Sequence, residues 1–156
     1  MRTTILLLAV LMLGLMAGLF YAYSGSVMLG LRAAGDRAAV EVMQRINVAI
    51  QNPLFGVIFI GALVFTAIAA FQNSGTSAVF IPLMIALLLY AATLLVTFVV
   101  NIPLNNRLNE AGDPHEIENP TAVWAAFLPR WLPWNHLRTL TSTGAFAAAC
   151  WALLQY

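Results

Sequence analysis

The chain has 156 residues, enough for one domain. Apolar residues make up 62% and charged residues 8%, against roughly 25% charged in a soluble domain; so few charges cannot cover a water-facing surface, and the bilayer is the natural solvent. Net charge is +1 with every basic residue an arginine, which excludes a basic field for nucleic acid, and the single cysteine, Cys150, excludes an internal disulfide and a CxxC motif.

A spanning helix needs about 20 mostly apolar residues. Four runs qualify, at about 3–24, 53–72, 78–106 and 135–156. They predict an all-α fold: an integral membrane four-helix bundle, residues 1–156 forming a single membrane domain. The first run follows only Met1-Arg2 and exceeds the h-region of about 7–15 residues of a signal peptide. It is expected to be a retained helix. Gly14, Gly18, Ala22 and Ser26 recur along it every four residues, a ridge that lets another helix approach closely in lipid.

Residues 35–53, "GDRAAVEVMQRINVAIQNP", predict an additional amphipathic helix between spans one and two, over about 36–50. Asp36 is the expected N-cap, Glu41 and Arg45 form an i,i+4 pair, and Asn52-Pro53 stops the helix. The helix either lies at the interface or continues the first span outside the bilayer. "NSGTS" is a short turn, so spans two and three form an antiparallel hairpin. Residues 107–134 give a polar loop and then "TAVWAAFLPRWLPW", whose tryptophans and prolines suit the headgroup region.

Arg2 alone accompanies the termini, while Arg32, Arg37, Arg45, Arg107 and Arg130 flank the two long connections. The positive-inside rule then predicts a cytoplasmic (inner) membrane protein with both termini outside and the long connections inside.

The third span carries Thr93, Thr97, Asn101 and Asn105 at four-residue spacing, one polar stripe on a helix. The fourth begins with "PWNHLRT": Trp134, Asn135, His136, Arg138 and Thr139. Both polar ends fall on the same membrane side and are expected to meet. Ionisable groups inside a membrane are costly and mark a site by default. The structural alternatives are that Arg138 snorkels to the headgroups, that Asn135 is a helix N-cap and that Asn101 satisfies carbonyls freed by Pro103. With two histidines, His115 and His136, and no Cys/His cluster, a metal site is not expected. No dinucleotide, phosphate-loop or nucleophile-elbow motif is present.

Three stretches in order, "VMQRINVAIQNPLF", "NIPLNNRLN" and "WNHLRT", resemble the anthrone oxygenase-like family of small four-span membrane proteins, also known as DUF1772. The likeness covers nearly the whole chain. It implies oxidation of a lipophilic phenolic, anthrone-like or quinol substrate by molecular oxygen, with no cofactor predicted. An anthrone has an acidic methylene whose enolate reacts with oxygen without a metal. In this reading His136 is the base, and Asn101, Asn105 and Arg138 stabilise the oxyanion. Trp131 and Trp134 wall the ring system, with Asn47, Thr97, Asn135 and Thr139 alongside. The partners are the bilayer and a lipophilic small molecule, with no nucleic acid; a homo-oligomer is compatible with the sequence. The competing reading is a non-enzymatic, lipid-binding or accessory protein whose polar corner is structural. A transporter ranks last, because no charge lies deep in a span and no inverted repeat is visible.

Overall fold

The computed structural model describes residues 2–155; Met1 and Tyr156, the expected last residue of the fourth run, lie outside the described residues. All regular structure among the described residues is helical. Five helices follow in order: α1 (Arg2–Ala33), α2 (Asp36–Ala49), α3 (Pro53–Gln72), α4 (Ser77–Asn109) and α5 (Pro120–Leu154). α1, α3 and α4 are long and apolar enough to cross a membrane. α5 is longer, but Arg138 and a series of hydroxyls at Thr139, Thr141, Ser142 and Thr143 dilute its apolar character.

α1 packs against α3 and α5, and α4 packs against the same two, so the long helices form a four-cornered bundle. Its core joins Leu6, Leu13 and Phe20 of α1 to Phe59 and Ala62 of α3, Leu83 and Tyr90 of α4, and Ala145, Ala149 and Ala152 of α5. The outer faces are equally apolar: Leu11, Leu54, Phe71, Leu88 and Leu140 are all more than half exposed. Burial of apolar surface therefore does not decide which side of a helix faces inward. In lipid the helices associate through close packing and interhelical hydrogen bonds, each contributing about 0.6 kcal/mol on average. The alanines bring α5 close to its neighbours. Tyr90 Oη donates to the Phe59 carbonyl at 2.9 Å, and the Thr93 and Thr141 hydroxyls meet at 2.7 Å. Gly14, Gly61 and Gly144 mark close approaches, where an added Cβ would meet Phe146, Met12 and Leu89 at 2.9–3.1 Å.

α2 has one apolar and one charged face, as its pattern predicts, and it does not extend α1. The chain reverses at Gly35, whose φ of 88° is the left-handed conformation that glycine adopts without strain. Gly35, not Asp36, holds the N-cap position. α2 then folds back across the end of the bundle, burying Ala39, Val40 and Met43 against Met28, Leu108, Trp124, Phe127 and Trp131. Two side chains tie it to the α4–α5 loop. Arg37 donates to the carbonyls of Pro114 and Ile117, and Gln44 to those of Leu108 and Gly112. The Glu41–Arg45 pair forms at 2.8 Å on the exposed side, where it contributes little.

Asn52 ends the reversal into α3, its Oδ1 accepting from Phe55 N at 3.0 Å ahead of Pro53 at the first helical position. The tryptophan-rich stretch is the first part of a helix continuous with the expected fourth run. α5 starts at Pro120 with Asn119 as its cap and runs unbroken through Pro129 and Pro133. Each internal proline removes one ladder hydrogen bond. The helix holds because Trp124, Phe127 and Trp131, ring centroids 5.6 and 5.9 Å apart in sequence, pack its first turns onto α2.

Candidate functional site

Two of the long helices open at the same end of the bundle. Residues Tyr23–Val27 of α1 and Thr97–Asn101 of α4 form π turns, closed by Met28 N donating to the Tyr23 carbonyl and Ile102 N to the Thr97 carbonyl. In α4 the cause is local: Pro103 has no N–H to continue the ladder onto Val99, and the turn ahead of it widens. A π turn adds a residue to the register, so a four-residue stripe no longer keeps one face. Thr97 and Asn105 look into a cavity, whereas the intervening Asn101 is fully buried and donates to the Trp131 carbonyl at 3.4 Å.

The cavity has a volume of about 410 Å³, within the range of small-molecule sites. Leu19, Phe20 and Tyr23 of α1, Phe55, Gly56 and Phe59 of α3, and Trp131 of α5 give it apolar walls. Met43 and Ile46 of α2, with Ile50 just after that helix, also line it. Carboxamides line it as well: Asn47, Gln51, Asn52, Asn105, Asn106 and Asn109. Gln51 and Asn106 are exposed and form the wet edge. Asn47 reaches Asn109 Oδ1 at 3.4 Å.

Arg138 enters the cavity from α5 and is 6% exposed. Its Nη2 donates to Asn135 Oδ1 at 2.8 Å and its Nη1 to Thr97 Oγ1 at 3.5 Å; its Nε is buried without a partner. The guanidinium carbon lies 4.6 Å from the Phe20 ring centroid and 5.2 Å from that of Trp131, a cation–π setting for a desolvated charge. Among the described residues no carboxylate pairs with it: the carboxylate contacts to basic groups are Glu41 with Arg45 and with His115. The positive charge is therefore held by neutral groups and remains uncompensated at the cavity wall.

The holding groups are themselves fixed. Asn135 Nδ2 donates to Ser24 Oγ at 2.9 Å and to the Phe20 carbonyl at 3.3 Å. Thr139 Oγ1 donates to the same carbonyl at 2.9 Å and meets Ser24 Oγ at 2.9 Å. Trp131 Nε1 donates to Asn105 Oδ1 at 2.8 Å, which sets the indole against the cavity.

Several expectations about individual residues change here. His136 does not converge on Asn101 and Asn105. It is exposed, off the cavity, and its Nδ1 meets Ser24 Oγ at 2.9 Å. Trp134 is 41% exposed and forms no cavity wall, while Trp131 does. Asn135 is a buried mid-helix residue, not an N-cap, and Arg138 does not snorkel. Asn101 serves the α5 backbone instead of carbonyls freed on α4. Asn135, Asn101 and Thr139 back the cavity without lining it, and Asn47, Thr97, Asn105, Trp131 and Arg138 line it. Phe20, Tyr23 and Ser24 carry no signal in the sequence, because a plain apolar span gives no sign of a π turn. Among the described residues no three His, Cys, Asp or Glu side chains gather in a metal-ligating cluster.

The family model for anthrone oxygenase matches residues 46–148, well over half of the chain. The chain belongs to the anthrone oxygenase family. The matched region contains α3, α4 and the stretch of α5 that bears Trp131 and Arg138. No curated protein and no solved structure matches this anthrone oxygenase family member.

Proposed function

We propose that the chain is a membrane oxygenase. It takes an acidic, lipophilic phenol- or anthrone-like molecule from the bilayer and oxidises it with molecular oxygen. The observation that carries this reading is the buried, uncompensated guanidinium of Arg138 facing an apolar cavity, in a chain of the anthrone oxygenase family. A cation held without a carboxylate favours a ligand that is, or becomes, an anion. Phe20, Phe55, Phe59 and Trp131 suit a flat ring system.

In the proposed reaction the methylene C–H of the substrate loses its proton to water at the carboxamide edge. The enolate oxygen accepts hydrogen bonds from the Arg138 Nη groups, so charge develops where a preorganised donor already stands. The carbanion carbon adds oxygen, forming a C–O bond and a peroxide that takes up a proton. Loss of the second C–H proton with cleavage of the O–O bond gives the ketone and one water. Carbon is oxidised, oxygen is reduced, and no other electron donor is needed. His136, off the cavity, has no part in this scheme. A purely structural polar corner would leave the cavity without a role.

We also propose that α5 is a fourth crossing. An even number of crossings puts both termini on one side, outside a cytoplasmic membrane, with the arginine-bearing connections inside.

The test is oxygen uptake with anthrone by protein in nanodiscs, against empty nanodiscs. Arg138→Gln is expected to lower the rate roughly 10²–10³-fold, the usual loss of one oxyanion donor, with helicity retained. Uptake no faster than that of empty discs would sink the proposal.

A further inference from the structure

Three of the glycines in the bundle have a packing reason. At Gly14, Gly61 and Gly144 a Cβ would press on a side chain of the adjacent helix at 2.9–3.1 Å. Gly56 is different. It lies in α3, lines the cavity, and a Cβ there would meet nothing within 4 Å. It stands on the same helical face as Asn52 and Phe59, four before it and three after, both of which also line the cavity. Phe55 and Phe59 stack beside it, ring centroids 5.1 Å apart and planes 17° off parallel, and Phe59 is held further by Phe98 at 6.0 Å and Tyr90 at 6.4 Å. The aromatic wall on this side is therefore braced, and the one missing side chain leaves a gap in it. Glycine in a helix is less favourable than alanine by about 1 kcal/mol, and here no neighbouring helix demands it.

We propose that Gly56 sets the width of ring system the cavity accepts, and is a specificity-determining residue. This rests on the oxygenase reading for the ligand class. A side chain at position 56 would project into the cavity beside the Phe55–Phe59 stack. A three-ring ligand lying flat against the stack would lose its place; a two-ring ligand would keep its own.

The experiment is equilibrium dialysis of anthrone and of 1-naphthol against protein-loaded nanodiscs, with empty discs subtracted for partition into lipid. Wild type is expected to retain both probes. Gly56→Leu is expected to bind anthrone at least about tenfold more weakly, the effect of a modest overpacking clash, and 1-naphthol as wild type does. Gly56→Ala, which adds only the Cβ, is expected to bind both as wild type does. Gly56→Val replaces the leucine variant if that does not fold. Equal retention of anthrone by the leucine or valine variant and wild type would overturn the role of Gly56 while leaving the oxygenase reading standing. Loss of both probes together also counts against it, since that is blockage and not narrowing. Wild type retaining neither probe would instead remove the oxygenase reading, and the proposal with it.

Discussion

Asn135 Oδ1 accepts a 2.8 Å hydrogen bond from Arg138 Nη2, three residues on along the same helix, deep in the bundle. This amide does what a carboxylate would do elsewhere, but without neutralising the charge. A carboxylate partner would quench the positive field at the cavity; the amide orients the guanidinium and leaves its charge available to a ligand.

Asn135→Leu removes the acceptor of Arg138 and the donor to Ser24 Oγ and the Phe20 carbonyl. It should destabilise the protein by about 1–3 kcal/mol, the cost of leaving buried polar partners unmade, and lower oxygen uptake as well. The check is the thermal unfolding midpoint in detergent beside the uptake rate. A variant as stable as wild type would contradict the account.

Tyr90→Phe deletes one interhelical hydrogen bond, to the Phe59 carbonyl at 2.9 Å, at a residue off the cavity. The expected loss is about 0.6 kcal/mol, the mean for such bonds in membranes, with oxygen uptake unchanged. Reversible unfolding in mixed micelles measures it.

His136→Ala should leave oxygen uptake at the wild-type level, because the imidazole is exposed and its partner Ser24 keeps Asn135 and Thr139. Loss of uptake with the fold intact would return His136 to the role of base that "WNHLRT" suggested.

Reporter fusions address the fourth crossing. A reporter after Tyr156 and one inserted at Asp113, in the α4–α5 loop, are expected on opposite sides of the membrane, the loop reporter in the cytoplasm. Both reporters on one side would remove α5 as a crossing.

Few charges together with apolar runs of about 20 residues marked the chain as helical and suited to a membrane. Run length placed α3 correctly and the starts of α1 and α4 to within a residue or so, because Asn52-Pro53 and "NSGTS" are strong local signals. The pattern of α2, the stripe on α4 and the polar residues around Arg138 were also legible, because polar groups in apolar runs stand out.

Tertiary structure decided the rest. In α1 and α3 the inner and outer faces are equally apolar, so periodicity carries no inward direction. The π turn in α4 shifts the register by one residue, which sends Asn101 to the α5 backbone and Thr97 and Asn105 to the cavity. His136 and Arg138, two residues apart on one helix, project about 200° from each other, and packing alone decides that Arg138 is the one that turns inward. The cavity itself depends on α2 folding back at Gly35, a contact between elements far apart in the chain that no local pattern encodes.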